Sequence, residues 1–433
     1  MVDVLQNAWV AWYQKGVGCT LPTMQTSTIL PTMELSDRAL SIPPSITLAI
    51  SAKVKEMKAA GKEIIAFGAG EPDFDTPGEI SQAAIDSLLS GDTHYMPSSG
   101  TPEAREAIAN KLRTENNIDC TQANISINAG AKMSINLALM SILDAGKNQE
   151  VVVPTPAWVS YKPMIELAGG TMIEVPTSVD SSFKCTPEEI EAAITPNTKA
   201  ILLNTPSNPC GTMYSPDELR AIATLLERHP EIYIISDEIY ERLIYSDIEH
   251  LSLGSIPEIA RQVITINGLS KAFAMTGWRI GYACAPENVA KAMNTLQSQI
   301  NTSITSFCYA SIPVALGMKE EVEKLRQIFA KRASLMFALI QKWPNTECAE
   351  PTGAFYAFPK VSSYFSKTSP AGTEITDAVN FTKALLEETG VAVVPGNDFG
   401  GCGPEHIRLS FACSEEQITE GVNKVGAWLA KFE

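Results

Sequence analysis

Residues 268–281 read GLSKAFAMTGWRIG and contain one lysine, Lys271, followed eight positions later by Arg279. The stretch is otherwise uncharged, and bulky apolar residues such as Phe273 and Trp278 surround the lysine. A lysine that serves only solubility normally lies on a polar face, so this pattern predicts that the Lys271 amine is desolvated. Desolvation disfavours the ammonium and lowers a lysine pKa from its reference value of about 10.4. The stretch therefore predicts a free amine at Lys271.

A free amine is the nucleophile that a carbonyl cofactor such as pyridoxal phosphate needs to form a Schiff base. A guanidinium such as that of Arg279 is suited to holding a phosphate. The alternative is a buried lysine paired with a distant carboxylate, beside a structural arginine. The stretch resembles the lysine signature of the class I aminotransferases, which are fold type I pyridoxal-phosphate enzymes. This signature is long and has few free positions, so a chance match is improbable.

Composition narrows the class of protein. At 433 residues, with 45% apolar and 19% charged residues, the chain fits two globular domains of ordinary size. Its net charge of −16 argues against binding to nucleic acid or to an anionic membrane surface. The nine cysteines are odd in number and lack the close pairing of a metal site, which predicts reduced thiols in a cytoplasmic protein without a metal.

Residues 1–33 differ from the rest of the chain. Their apolar segment, NAWVAWY, is far shorter than the roughly 20 residues of a membrane span. A signal peptide is disfavoured because Asp3 precedes this segment and no basic residue occurs before Lys15. A transit peptide is disfavoured because the first arginine is Arg38. We expect a disordered or non-native extension without an assigned function, with Met33 as the native start.

The middle of the chain alternates between short apolar runs and helical stretches. A helix is predicted from Ser45, as N-cap, to a stop at Gly61. Four runs rich in β-branched residues follow: VVVP from Val151, KAILLN from Lys199, IYIIS from Ile232 and QVITIN from Gln262. Such runs, separated by helices, predict strands of a mainly parallel sheet that is buried on both faces. Ligands of such sheets bind beyond the carboxyl ends of the strands.

After about residue 320 the pattern changes to long amphipathic helices, followed by GAFYAFP, VAVVPG and HIRLSFA. This change predicts a second, smaller α+β domain. The predicted fold class is α/β, and the resemblance implies a mainly parallel, seven-stranded sheet sandwiched by helices. We expect an N-terminal arm and part of the small domain in residues 34–70, a large cofactor-binding domain in residues 71–318, and the rest of the small domain in residues 319–433.

The resemblance extends from about residue 34 to the C-terminus and implies roles for individual residues. Asp237 lies in SDEIY at the end of an apolar run, where a buried carboxylate is costly without a positive partner. Taken alone, Asp237 could equally be a helix N-cap. The resemblance implies that Asp237 pairs with the protonated pyridine nitrogen of the cofactor and that Tyr240 donates to its phenolic oxygen.

Two loops that follow strands acquire roles in the same way. Residues 204–211, NTPSNPCG, are by themselves only a turn-rich loop. The resemblance implies that Asn208 binds the phenolic oxygen and the substrate carboxylate; Cys210 replaces the usual threonine, with little effect expected. Trp158 follows Pro-Thr-Pro and would generically cap a core. The resemblance implies that it stacks on the cofactor ring.

A phosphate site is expected where a helix begins. Gly130, Ala131 and Lys132 precede a helical run, and the free N–H groups at a helix N-terminus favour anions. Arg279 would close this phosphate loop. Tyr95 resembles the tyrosine that reaches the same phosphate from the other subunit, which implies a homodimer with shared active sites.

The resemblance also implies a reaction and a substrate class. Arg408, generically an edge-strand arginine, would bind the α-carboxylate of an amino acid as a bidentate fork, and Gly70 would donate a backbone N–H to it. Lys132 and Thr47 match the residues that hold the distal carboxylate in bacterial-type aspartate aminotransferases, a group that includes aspartate/prephenate enzymes. We therefore expect ping-pong transamination between aspartate or glutamate and 2-oxo acids, with prephenate as a second candidate substrate.

Two alternatives remain at this point, and a third is disfavoured. An aminotransferase for neutral or aromatic amino acids would not need Lys132 and Thr47 together. A lyase of the same fold is harder to exclude from residues alone. A transcription regulator would require a basic winged-helix domain before residue 34, and residues 1–33 are too few and contain one basic residue.

Overall fold

The computed structural model describes residues 34–42 and 46–432, and the chain divides into two compact units, Met1–Pro43 and Pro44–Glu433. In the first unit, helix α1 (Asp37–Ser41) begins after Ser36, whose hydroxyl accepts a hydrogen bond from the N–H of Ala39. The predicted extension over residues 1–33 and the predicted N-cap Ser45 lie outside the described residues.

The second unit combines helices and strands along its whole length. Its helices are α2 (Ile46–Ala59), α3 (Gly78–Ser90), α4 (Pro102–Glu115), α5 (Ala131–Ile142), α6 (Tyr161–Leu167), α7 (Pro187–Ala193), α8 (Pro216–Leu226), α9 (Glu287–Ile300), α10 (Ser311–Gly317), α11 (Lys319–Ile340), α12 (Ala378–Thr389) and α13 (Glu415–Leu429). Its strands are β1 (Ile65–Ala66), β2 (Ile125–Ala129), β3 (Glu150–Thr155), β4 (Thr171–Pro176), β5 (Thr198–Asn204), β6 (Tyr233–Asp237), β7 (Val263–Gly268), β8 (Ile280–Cys284), β9 (Tyr356–Ala357), β10 (Lys367–Thr368), β11 (Glu374–Ile375), β12 (Val391–Ala392), β13 (Val394–Pro395) and β14 (Ile407–Ser410). Short 3₁₀ helices cover Gln122–Asn124, Leu253–Ser255, Thr276–Trp278, Ser306–Cys308, Ser362–Tyr364, Gly396–Phe399 and Gly403–Glu405.

The central sheet has seven strands in the order β2-β8-β7-β6-β5-β3-β4. Strand β8 is antiparallel to both of its neighbours, and the other neighbouring strands are parallel. The four predicted apolar runs form β3, β5, β6 and β7, which are consecutive neighbours in this sheet. The predicted α/β class with a mainly parallel sheet is therefore confirmed.

Helices cover both faces of this sheet, which explains why its strands are apolar throughout. Val151 and Val153 of β3 belong to one hydrophobic cluster, which includes Leu139 of α5. Val152, which points the opposite way, belongs to another cluster that includes Leu226 of α8. Burying each such side chain contributes about 1.5–3 kcal/mol.

Helix ends follow local sequence signals. Helix α8 begins after Ser215, whose side chain accepts from the N–H of Glu218 while the Glu218 carboxylate accepts from the N–H of Ser215. Pro216 occupies the first turn, where its missing N–H removes no helical hydrogen bond. None of the helices within the described ranges is both long and apolar enough to cross a membrane.

Most residues of one hydrophobic cluster come from the C-terminal third, among them Phe329 of α11, Phe355, Phe411 and Trp428 of α13. The predicted runs GAFYAFP, VAVVPG and HIRLSFA contain β9, β12 with β13, and β14. Strands β13, β14 and β9 form an antiparallel sheet, which completes the expected α+β region. Phe67, next to β1, joins the same cluster, and β1 pairs in parallel with β12.

The topology determines where chemistry can occur. Strands β3, β5, β6 and β7 are parallel, so their carboxyl ends meet at one edge of the sheet. Residues Thr155, Asn204, Asp237 and Gly268 end these four strands. The segments that follow these four strands carry Trp158, Asn208, Tyr240 and Lys271.

Candidate active site

Lys271 lies three residues after β7, and its amine faces the centre of this edge. Its Nζ donates to the carbonyl oxygen of Gly70 at 2.5 Å and lies 5.8 Å from the centroid of the Tyr240 ring and 5.6 Å from that of Phe355. Burial of the amine, and then the positive charge of Arg408, lower the pKa of Lys271 to about 8. The desolvation expected from the sequence is therefore present, and neutral amine is accessible near physiological pH.

Asp237, the last residue of β6, is 3% exposed. Its Oδ2 accepts from the hydroxyl of Tyr161 at 2.6 Å, and its Oδ1 accepts from the N–H of Ile239 at 3.2 Å. Burial raises the pKa of Asp237 to about 6, although both hydrogen bonds oppose this shift. Because residues 239–242 form a turn, the helix N-cap alternative does not describe this aspartate. A carboxylate with a raised pKa is one that would gain from a positive partner.

Tyr240 lies on the turn that follows Asp237. Its hydroxyl is 3.0 Å from that of Tyr356, and its ring meets the rings of Phe355 and Tyr356 edge to face. Burial raises the pKa of Tyr240 well above its usual value, so the hydroxyl keeps its proton. Tyr240 is therefore available as a hydrogen-bond donor.

Arg408 and Asn208 meet although 200 residues separate them. One Nη of Arg408 donates to the side-chain oxygen of Asn208 at 3.0 Å, and the other donates to the carbonyl of Gly68 at 3.2 Å. The guanidinium is 3% exposed and lies 4.6 Å from the ring centroid of Tyr356. Its Nε has no acceptor among residues 34–42 and 46–432. A buried cation with only neutral acceptors is suited to an anion.

The start of α5 and Arg279 lie in very close contact. Gly130 caps α5 with a φ of +84°, and a Cβ built there would lie 2.4 Å from Nη2 of Arg279. A Cβ on Gly281 would lie 2.1 Å from the backbone nitrogen of Ala131. Only glycine fits at either position, and the guanidinium is thereby held against a helix N-terminus. This combination is a favourable site for phosphate.

Trp158 connects this cradle with Asp237. The amine of Lys132 lies 4.8 Å from the centroid of the Trp158 ring, and that ring packs edge to face on Tyr161 at 5.4 Å. Burial, and then the charge of Arg279, lower the pKa of Lys132. Lys132 therefore lies between the phosphate cradle and the face of Trp158.

Gly70 belongs to segment 68–76, which is tied to several parts of the fold. The carboxylate of Asp73 accepts hydrogen bonds from both Nη groups of Arg332 on α11, at 2.6 and 3.0 Å. Thr76 donates to the carbonyl of Ala274 at 2.8 Å. Gly70 contacts Lys271 through its backbone carbonyl. The predicted contact is a different one, in which the backbone N–H of Gly70 donates to the substrate carboxylate.

Two predicted residues stand apart from this group. Tyr95, between α3 and α4, is 92% exposed. Thr47 lies on α2, and its side chain is outside the described residues. The structure thus brings together the side chains of Lys271, Asp237, Tyr240, Asn208, Arg408, Trp158, Lys132 and Arg279 around one strand edge.

The sequence interpretation missed two tyrosines at this edge. Tyr161 binds Asp237, and Tyr356 contacts both Tyr240 and Arg408. Tyr161 lies three residues after Trp158, and Tyr356 lies in the predicted strand GAFYAFP. Nothing in a local pattern distinguishes either tyrosine from a core residue.

Comparison with known proteins agrees with this arrangement. Residues 62–425 match the model of the family described as aminotransferase class I and II. The aspartate/prephenate aminotransferase of Cereibacter sphaeroides is 42% identical over 92% of this chain and 98% of its own length. The aspartate aminotransferase of Geobacillus stearothermophilus is also 42% identical, over 91% and 98%.

Solved structures give the same answer. An aspartate aminotransferase from Rhizobium meliloti superimposes with a TM-score of 0.88 at 37% identity, covering 93% of this chain and 100% of that one. The aspartate aminotransferase from Thermus thermophilus with maleate gives 0.84 at 40% identity, covering 91% and 99%. These matches span nearly the whole chain and agree with the fold and with the order of its motifs, and the chain therefore belongs to the class I and II aminotransferase family.

Proposed function

We propose that this protein is a pyridoxal-phosphate-dependent transaminase that exchanges amino groups between aspartate or glutamate and 2-oxo acids. The observation that carries the proposal is the buried amine of Lys271, whose pKa is lowered to about 8. This amine lies at the edge of the sheet where Asp237 ends β6 and where the buried Arg408 contacts Asn208. The names of the relatives support the dicarboxylic substrate.

The residues present fit the cofactor. The cradle formed by Gly130, Ala131, Lys132 and Arg279 suits its phosphate, because a Cβ at Gly130 would occupy the space next to the guanidinium. Asp237 suits a protonated ring nitrogen, and Trp158 offers an aromatic face. When bound, pyridoxal phosphate supplies an electron-withdrawing ring that stabilises negative charge at the substrate α-carbon.

Each polar group then has a task that its environment favours. The amine of Lys271, with a pKa of about 8, can accept a proton from the substrate α-carbon and deliver it to the carbon that was the cofactor's carbonyl carbon. Tyr240 keeps its proton and serves as a donor to the phenolic oxygen, which Asn208 also binds. Arg408 holds the α-carboxylate. Its Nη groups donate to neutral oxygens, and its Nε has no acceptor among the residues that the structure describes, so the guanidinium suits an anion.

We propose that Lys132 binds the second, distal carboxylate of a dicarboxylic substrate. Its amine lies at the ring of Trp158, where a dicarboxylic acid bound through Arg408 would present its distal group. Thr47 would assist from α2. A flexible point charge accommodates acids of different shape, so prephenate remains a second candidate substrate, supported by the name of one relative.

Domain organisation and compartment complete the proposal. We propose an N-terminal arm and part of a small domain in residues 34–70, a large cofactor-binding domain in residues 71–318, and the rest of the small domain in residues 319–433. The parallel pairing of β1 with β12 supports the assignment of β1 to the small domain. The eight cysteines within the described ranges are free, which supports a reducing, cytoplasmic environment.

A half-reaction screen tests the function directly. Aspartate, glutamate, arogenate and alanine are added singly to the cofactor-loaded protein while cofactor absorbance is followed. We expect aspartate and glutamate to convert the cofactor to its amino form, and oxaloacetate or 2-oxoglutarate to restore it. Release of ammonia without a requirement for a 2-oxo acid would instead identify a lyase.

Replacing Lys132 with methionine should lower kcat/KM for aspartate about 10- to 150-fold more than for alanine, because a lost charge-assisted contact costs about 1.5–3 kcal/mol. Some loss common to both substrates is expected because residue 132 also lies in the phosphate cradle. The ratio of the two kcat/KM values is therefore the measurement. Lys199→Met is the matched control, since Lys199 also lies over an aromatic ring, that of Tyr233. Equal losses for both substrates would mean that Lys132 serves only the cofactor.

We also propose a homodimer in which Tyr95 reaches the phosphate of the partner subunit. Tyr95 is 92% exposed, and Leu88 and Leu89 of α3 are 43% and 79% exposed. Contact with a second copy would cover such apolar surface. Sedimentation velocity and activity, measured over the same dilution series, should show dissociation and loss of activity together. A fully active monomer would rule out a shared site.

A further inference from the structure

A buried polar cluster lies behind Asp237, on the other side of β6. We name it the rear cluster; it consists of Lys111, Asn116, Glu238, Glu241, His250 and Ser252. Successive residues of a strand point to opposite faces. Asp237 therefore points toward Tyr161, and Glu238 points into the rear cluster, where it is fully buried.

Hydrogen bonds hold Glu238 on both of its oxygens. One oxygen accepts from the hydroxyl of Ser236 at 2.8 Å. The other accepts from Ser252 at 2.6 Å and lies 3.0 Å from Nε2 of His250. A buried carboxylate with three such partners is fixed in one orientation, and it shares a backbone with Asp237.

Glu241 has its own cation. It forms an ion pair with Lys111 of α4 and accepts from Asn116 at 2.6 Å. Lys111 also donates to Asn116 at 2.7 Å, and its side chain is 4% exposed. The ammonium of Lys111 is paired with Glu241, and among the described residues His250 is the basic group that contacts the Glu238 carboxylate.

The ligand atoms of Glu238, Glu241 and His250 lie within 4.8 Å of one another, which is a spacing that could also suit a metal ion. Lys111 already brings a positive charge into contact with one of these carboxylates. The cluster is therefore better described as an internal network of ion pairs than as a metal site.

We propose that the His250 imidazolium neutralises Glu238 and thereby keeps Asp237 ionised for the cofactor, which makes His250 a positioning residue. This inference rests on the proposed function, because the partner of Asp237 is the cofactor ring. The charged and titratable groups that face His250 are Glu238, Glu241 and Lys111. Those that face Asp237 are Tyr161 of α6, Lys271 after β7, and Glu238 and Tyr240 on its own turn.

The pKa directions agree with this arrangement. Burial alone would lower the pKa of His250, but the hydrogen bond and the charge of Glu238 raise it above its usual value of 6.5. Burial is the main cause that raises the pKa of Asp237, and the charge of Glu238 raises it further. An uncompensated Glu238 would therefore make Asp237 take up a proton at a higher pH.

Cofactor affinity as a function of pH tests the proposal without measuring activity. The dissociation constant of pyridoxal phosphate is measured by equilibrium dialysis from pH 5 to 9 for the wild-type protein and for His250→Gln. We expect the acidic midpoint of binding to move up by about one pH unit in the variant, which is about tenfold weaker binding on the acid side. At pH 9 the two proteins should bind alike, because pH 9 lies well above the pKa of about 6 for Asp237 and this carboxyl is ionised in both.

The double variant His250→Gln/Glu238→Gln provides the rescue. It removes the uncompensated charge, so its midpoint should return toward that of the wild-type protein. His229→Gln is the matched control: His229 is half-buried, lies 3.8 Å from the carboxylate of Glu231, and precedes the start of β6, whereas Asp237 ends that strand. An unchanged midpoint in His250→Gln, or a double variant that stays shifted, would overturn the proposal.

If the His250 variants fail to fold, a second measurement on the wild-type protein tests the proposal. The chain has four histidines, so the ring of His250 can be assigned in the wild-type protein by NMR with the other three replaced one at a time. A His250 that is neutral at pH 6 would also overturn the proposal. A wild-type protein that binds no pyridoxal phosphate would instead refute the proposed function, and the titration of His250 would still be readable.

Discussion

Lys271→Ala should abolish transamination while the protein remains folded. In the proposed function the lysine both holds the cofactor covalently and moves the α-proton, and positioned proton transfer alone contributes about 10²- to 10⁴-fold. Turnover should therefore fall by at least that factor. Steady-state assays with aspartate and 2-oxoglutarate measure the loss, and borohydride reduction with peptide mapping measures where the cofactor attaches.

Although Lys271→Ala abolishes activity, it should stabilise the cofactor-free protein. The pKa of Lys271 is lowered from 10.5 to about 8 in the folded state, so its ammonium opposes folding below pH 8, and this penalty disappears above pH 10.5. We expect the cofactor-free variant to melt higher than the wild-type protein at pH 7, with a difference that shrinks as pH rises. Lys360→Ala is the control, because Lys360 is ion-paired with Glu405 far from the strand edge. Cofactor attached to another lysine of Lys271→Ala would refute the assignment.

Asp237→Ala should cost at least several kcal/mol of transition-state stabilisation, the scale expected when a desolvated charge loses its partner. Without the carboxylate, the cofactor ring nitrogen has no anion to hold its proton, and the ring withdraws electrons less strongly. The measurement is kcat in single-turnover reactions. Tyr161→Phe, which removes only the 2.6 Å hydrogen bond to Oδ2, should give a smaller loss. A near-wild-type rate in Asp237→Ala would leave Asp237 with a structural role only.

The raised pKa of Asp237 links the folding stability of the protein to the binding of the cofactor. Its pKa is raised from 3.8 to about 6, so ionisation opposes folding of the cofactor-free protein above pH 6, and this effect is absent below pH 3.8. Asp237→Asn should therefore stabilise the cofactor-free protein at pH 8 and weaken the additional stabilisation that the cofactor provides. Functional necessity and stability thus act in opposite directions at this residue.

Much of the fold could be predicted because the relevant signals are local. The runs that form β3, β5, β6 and β7 are apolar over their whole length, since both faces are covered. Strand β2, in contrast, contains the buried polar residues Ser126 and Asn128, which bind Asn294 and Gln297 of α9. Its polarity conceals it from a hydrophobic pattern. The two-residue strands β1, β12 and β13 are too short to show any periodicity.

The site divides in a similar way. The desolvated amine of Lys271 could be inferred from its immediate neighbours, and the resemblance to a family supplied Arg408 and Asn208. The contacts of Tyr161 with Asp237 and of Tyr240 with Tyr356 join residues 76 and 116 positions apart. The rear cluster was not anticipated, because Glu238 and Glu241 look like exposed polar residues of a turn until α4 places Lys111 beside them.

The environment of Arg408 has a consequence for the choice among cellular amines. Its guanidinium is buried against neutral oxygens, and within the part of the chain that the structure describes its Nε has no acceptor. An amine without a carboxylate, such as a polyamine or a decarboxylated amino acid, would enter the site and leave this charge without an anion. If Arg408 binds the α-carboxylate as proposed, this recognition selects substrates before any chemistry and protects abundant simple amines from oxidation to aldehydes.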